Sequence, residues 1–302
     1  MKEPLPTVGG VSPSRQRLPP GRWETVLDFL KERHPGVGAE TWLARMSKGQ
    51  VVDEAGRRVR PESPYRAGAC IFYYREVEAE IKIPFAERVL YRDEHILVAD
   101  KPHFLPVVPA GRFLHETLLV RLKKGGAPAG LVPLHRIDRE TAGLVLFSLN
   151  PATRGLYASL FRERKVEKVY EALARTRPGL EFPLTRRSRL AAGEPFFRMK
   201  EVGGEPNSET RVAVLRGMGE LTLYELRPVT GRKHQLRLHL SALGIPIVND
   251  RLYPEMSFAE EDDFSRPLRL LARSISFRDP LTGRERRFES GRTVLRPGDA
   301  VD

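Results

Sequence analysis

The sequence predicts an α+β protein: a small N-terminal α+β unit followed by a larger domain in which strands and helices alternate. Three observations carry that prediction. Near the N-terminus apolar residues recur at three- and four-residue spacing, first Trp23, Val26, Leu27 and Leu30, then Trp42, Leu43 and Met46, the period of amphipathic helices. Further on, apolar runs such as residues 96–99 and 144–149 are short enough to be buried strands. Pro84 marks the change between the two regions, and from Glu87 onward there is neither an internal repeat nor a low-complexity tract.

Taken in order, residues 1–21 carry Pro4, Pro6, Pro13, Pro19 and Pro20 among glycines, serines and basic residues, and read as a flexible tail. Residues 22–84 form the small unit. It has helices over 23–33, ended by Pro35-Gly36, and over 39–48, with strands over 49–52 and 69–74. Residues 85–302 form the large domain. An amphipathic helix is expected over 154–164, and a strand over 166–174 that places Lys168, Tyr170 and Ala172 on one face. Residues 231–243 suit a helix ended by Gly244, with Pro246 beyond it. Its Leu236, Leu240 and Leu243 would face the core, while Arg237 shares a neighbouring face with His234 and Ser241 and would want a carboxylate partner. Five acidic residues in the ten from 255 to 264 suggest a solvated insertion loop.

Composition narrows the function. The 302 residues carry 51 Lys+Arg against 39 Asp+Glu, a net charge of +12 that favours a polyanionic partner, most commonly nucleic acid. No apolar run is long enough for a membrane-spanning helix, and residues 1–6 do not look like a signal peptide, so a soluble, cytoplasmic monomer is the expectation. The single cysteine, Cys70, excludes an intramolecular disulfide and reads as a buried structural thiol. His135, His234 and His239 are badly spaced for a metal cluster, so no metal site is expected.

The densest chemical feature is Leu134-His135-Arg136-Ile137-Asp138-Arg139-Glu140-Thr141-Ala142-Gly143-Leu144. Cations on both sides of Asp138 favour its charged form, as suits a nucleophile or a general base. Taken locally, the same pattern is better described as a salt-bridged loop. The segment resembles, however, the HR-L-D-R-x-T-x-G-L signature of the RluA-type pseudouridine synthases, with Ile137 in place of the commoner leucine. Three more segments resemble that family in its order. They are Asp93-Glu94-His95-Ile96-Leu97-Val98-Ala99-Asp100-Lys101-Pro102, then Lys168-Val169-Tyr170, then Thr230-Gly231-Arg232-Lys233-His234-Gln235-Leu236-Arg237-Leu238-His239. Leu243-Gly244-Ile245-Pro246-Ile247-Val248-Asn249-Asp250 continues the last, with Asn249 where the family usually has glycine.

The resemblance implies a mixed, largely antiparallel sheet flanked by helices, and isomerisation of uridine in ribosomal or transfer RNA without a cofactor. It makes Asp138 the catalytic carboxylate, pairs Arg237 with it and places Tyr170 against the target base. The base would leave its stack, with Arg136 filling the gap. Lys101, His135, Arg136, Arg139, Lys168, Arg232 and His234 are the expected RNA-binding residues, and Arg186, Arg187 and Arg189 could hold the backbone. Residues 22–84 weakly resemble the α-L RNA-binding module of some ribosomal proteins and RNA-modifying enzymes. A non-catalytic RNA-binding protein on this fold, or a glycosidase with paired carboxylates, are the competing classes. The first needs no Asp138–Tyr170–Arg237 set, and the second needs a second central carboxylate.

Overall fold

The computed structural model describes residues 4–76, 79–257 and 263–295, in two units. The first takes the chain up to Ile81 with Pro109–Glu116 and Val120–Ala129; the second takes Lys82–Val108, Thr117–Leu119 and the described chain from Gly130 onward.

The first unit contains β1 (Ser14–Arg17), α1 (Val26–Arg33), α2 (Ala39–Ser47), β2 (Val51–Asp53) and β3 (Cys70–Tyr73). Helix α1 starts later than its apolar period suggests because Thr25 caps it: the hydroxyl accepts the Asp28 N–H and donates to the Asp28 carboxylate. Phe29, Leu30, Trp42, Met46, Val51 and Ile71 share one core, and Cys70 is buried. The tail expectation needs correction at residues 14–18. Ser14–Arg17 pairs antiparallel with β3, and Leu18 is buried beneath it. Pro13 and Pro19 lie just outside the strand, and proline is compatible with the ends of an edge strand.

In chain order there follow β4 (Arg88–Arg92), β5 (Ile96–Lys101), α3 (Leu118–Lys124), β6 (Val132–Pro133), β7 (Ala142–Ser148), α4 (Arg154–Arg162), β8 (Glu167–Arg175), β9 (Leu184–Ala192), β10 (Met199–Val202), β11 (Ser208–Met218), β12 (Leu221–Pro228), α5 (Gln235–Ala242), β13 (Leu270–Arg278) and β14 (Glu285–Glu289). The second unit is built on an 11-stranded sheet in the order β10-β9-β11-β12-β8-β13-β7-β5-β4, with β14 beside β13 and β6 beside β7. Among the described residues every strand pairing is antiparallel except β7 with β13, so the sheet is mixed and largely antiparallel. Tyr157 and Leu160 of α4 pack on Ile96, Val98, Leu144 and Leu146, while Leu236 and Leu240 of α5 pack on Ala172, Ala174 and Leu226. Strands β5 and β7 are buried along their whole length, their apolar runs as expected of buried strands, and with them the charged Asp100 and Lys101 that end β5.

The parallel pair decides where the site forms. Ala272 of β13 lies between Gly143 of β7 and Tyr170 of β8 in register. Gly143 has φ +110°, and a Cβ there would meet the Ala272 carbonyl oxygen at 2.2 Å, so only glycine allows this approach. On the other side of β8, Tyr170 faces Leu226 of β12. The loop before β7, the middle of β8 and the loop after β12 are thereby brought to one end of the sheet. The acidic run expected over 255–264 falls largely on 258–262, outside the described residues; Phe264 packs edge-on against Phe85 and Phe104.

Candidate active site

Asp138 sits in the irregular loop between β6 and β7, its side chain 27% exposed. Two anchors hold that loop. On its N-terminal side the His135 ring stacks on Phe161 and its Nε2 accepts the Leu146 N–H at 3.0 Å. An acceptor nitrogen requires a neutral ring, and burial pushes the His135 pKa down to about 3. On its C-terminal side Lys101 lies fully buried at the end of β5. Its Nζ donates to the carbonyls of Pro102 (3.0 Å), Leu105 (2.7 Å) and Arg139 (2.9 Å). Burial pulls Lys101 down to about 7, but three N–H donors exist only on the ammonium, and three carbonyls favour that form. His103 donates from Nδ1 to the Glu140 carbonyl at 2.8 Å, and Arg139 donates to the Phe104 carbonyl at 3.1 Å.

These contacts correct two expected RNA contacts. Lys101 has no surface to offer RNA; its charge holds two turns together. His135 spends its free nitrogen on the β7 backbone. Arg139 is half-buried and bound to protein groups. Arg136 and Arg232 are exposed, and Lys168 is half-buried with its pKa lowered by burial.

Around Asp138 the structure gathers three of the predicted groups. Arg237 Nη1 lies 3.6 Å from its Oδ2, and His234 Nε2 lies 4.0 Å from its Oδ1. Tyr170, on the β8 face turned to α5, has its pKa raised by burial and then by the negative charge of Asp138. Its hydroxyl makes no hydrogen bond among the described residues.

Arg237 does not belong to Asp138 alone. It is 2% exposed and forms a two-pronged pair with Asp250, Nε to Oδ2 at 2.8 Å and Nη2 to Oδ1 at 2.6 Å. Burial would lower its pKa, but the hydrogen bonds and charge of Asp250 raise it. The expected Arg237–Asp138 pairing is therefore the longer of two, and the closer carboxylate is one that sequence reasoning quoted in its motif without giving it work. Gln235 was also missed. Its Oε1 accepts from the Thr230 hydroxyl (2.7 Å) and the Arg232 N–H (3.1 Å), and its Nε2 donates to the Glu209 carbonyl and the Thr210 hydroxyl, both at 2.9 Å. All its polar capacity goes into shaping residues 230–235. A fully buried glutamine with such neighbours leaves no periodic trace in a sequence. Among the described residues no three His, Cys or carboxylate side chains gather as a metal ion would need.

The family model described as RNA pseudouridylate synthase matches residues 95–242. The ribosomal large subunit pseudouridine synthase C of Escherichia coli (strain K12) is 32% identical over 289 residues, spanning 88% of this chain and 89% of that one. The chain belongs to the RNA pseudouridine synthase family. An uncharacterized RNA pseudouridine synthase of Synechocystis sp. is also 32% identical, over 76% of this chain and 79% of its own. Among solved structures, human RNA pseudouridylate synthase domain containing 1 superposes with a TM-score of 0.57 at 28% identity, covering 71% of this chain and 86% of that one. The protein is thus an isomerase whose substrate is RNA, and nothing in these relatives supports a non-catalytic binder.

Proposed function

We propose that Asp138 is the catalytic carboxylate, with Tyr170 and Arg237 as its partners, and that the substrate is a uridine in ribosomal RNA. The observation that carries this is the convergence on Asp138 of Arg237, His234 and Tyr170, from segments up to about a hundred residues apart. The reaction breaks the N1–C1′ bond, turns the base and forms the C5–C1′ bond; C5 loses its proton and N1 gains one. Asp138 acts on the sugar or the base, as nucleophile or as base. Tyr170 stacks on the uracil, worth about 1–3 kcal/mol, and its free hydroxyl serves the proton moved at the base. The uridine reaches this loop by leaving its stack, at a cost of a few kcal/mol. The exposed side chain of Arg136 fills the gap, and Arg139, Lys168, Arg232 and His234 line the approach.

The E. coli relative is named for the large ribosomal subunit, which supports ribosomal over transfer RNA. Residues 22–84 supply a second RNA contact as a degenerate α-L module. The protein works as a cytoplasmic monomer; among the described residues no helix is long and apolar enough to cross a membrane.

The decisive experiment is Asp138→Asn. The variant should fold with an unchanged circular dichroism spectrum and form no pseudouridine in RNA from cells lacking the enzyme. Normal product from it would overturn the assignment. Pseudouridine mapping of total RNA from the same cells then separates ribosomal from transfer targets.

A further inference from the structure

Beyond the residues facing Asp138, the turn after α5 holds a second layer. Tyr253 is 3% exposed, and its ring has the Arg198 guanidinium carbon 5.2 Å and the Arg237 guanidinium carbon 5.6 Å from its centroid. Its hydroxyl oxygen accepts the Met199 N–H at 2.8 Å and lies 2.9 Å from His234 Nδ1. With the Met199 N–H donating to the phenol oxygen, the hydroxyl hydrogen is left to give, and His234 Nδ1 is placed to accept it; that orientation also turns an N–H, not a lone pair, toward the Asp138 carboxylate. A neutral imidazole whose Nδ1 accepts carries its own hydrogen on Nε2, the atom that faces Asp138. Burial holds His234 neutral, with a pKa of about 4. The same turn carries Asp250, which accepts the Leu252 and Tyr253 N–H groups as well as the two Arg237 bonds.

We propose that Tyr253 is a positioning residue of the active site: its hydroxyl fixes His234 as the Nε2–H tautomer and so presents a neutral N–H donor to Asp138. Asp250, on the same turn, occupies two edges of Arg237 and leaves only Nη1 toward Asp138. The carboxylate is thereby faced by two donors, at 3.6 and 4.0 Å, rather than clamped by a bidentate arginine, which would take both its oxygens out of use. The inference rests on Asp138 being the catalytic group. It differs from a packing role for Tyr253, because packing needs the ring and the tautomer needs the hydroxyl.

Tyr253→Phe keeps the ring and removes the hydroxyl. In long-range 1H–15N spectra, with His234 assigned by its loss in His234→Gln, the wild type should show the proton on Nε2. Tyr253→Phe should show a mixture of both tautomers. In turnover assays Tyr253→Phe should lower kcat about tenfold with KM changed less than about twofold, the size expected for one oriented hydrogen bond. In a His234→Gln background the same substitution should cost nothing further, since its effect passes through the imidazole. An unchanged His234 tautomer in Tyr253→Phe, or an equal loss of kcat in both backgrounds, would overturn the proposal. If wild-type protein formed no pseudouridine at all, the functional reading would fall, while the spectra would still decide what Tyr253 does to His234.

Discussion

At the residue scale the site depends on side chains whose roles oppose what their type suggests. Lys101, a charged residue in a basic RNA enzyme, never reaches solvent; its ammonium joins the turn after β5 to the loop bearing Asp138 through three carbonyls. Lys101→Met keeps the aliphatic stem and strands those carbonyls, each worth roughly 1–3 kcal/mol when left unsatisfied, partly offset by removal of a buried charge. A loss of about 2 kcal/mol in urea unfolding is expected, together with reduced kcat; unchanged stability would mean the three bonds hold nothing. Asp138, Tyr170 and Arg237 were legible because each lies in a segment resembling a known family's. The destination of the Lys101 side chain was not, since a lysine before proline reads the same whether it points inward or out.

At the element scale, the join of β7 to β13 is the feature with least tolerance. Gly143→Ala would force a Cβ into the Ala272 carbonyl at a backbone angle that L-residues avoid. Strain and overpacking together should cost at least about 3 kcal/mol and displace the loop five residues upstream that carries Asp138. Recovery of soluble protein with wild-type melting temperature would show that the two strands separate freely. Asn249 answers a different backbone demand. It stands where the family has glycine and takes φ +62°, a conformation asparagine adopts more readily than other side-chain-bearing residues, with its amide donating to the Pro267 carbonyl. Helix α5 was legible in its apolar stripe but not in its start. Residues 231–234 look helical by period, yet His234 turns left-handed at φ +54° and Gln235 bonds back into the loop. β1 was missed for the reverse reason: four residues carry too little pattern until a partner strand supplies the hydrogen bonds.

At the scale of the whole molecule, neutral buried histidines make stability acid-sensitive. Burial holds His103, His234 and His239 at about 4 and His135 at about 3, below the unfolded value near 6.5. Between about pH 6.5 and pH 4 the unfolded chain therefore binds more protons than the folded one, so stability rises with pH and is lost on acidification through that window. The slope should reach up to about 1.4 kcal/mol per pH unit for each such histidine. Urea midpoints measured from pH 7 to pH 4.5 should fall steadily; a flat profile would mean these rings take up protons without disturbing the fold.

The sequence by itself determined the fold class, about half of the described elements and the family, because periodicity and motif order can be read along the chain. The tertiary structure alone decided that β13 runs parallel between β7 and β8, aligning Gly143, Ala272 and Tyr170. It alone decided that Asp250, not Asp138, is the closer partner of Arg237, and that Tyr253 stands behind His234. Those facts depend on strand register and burial between segments far apart in sequence, where charge and hydrogen bonding select partners by distance rather than by position in the chain.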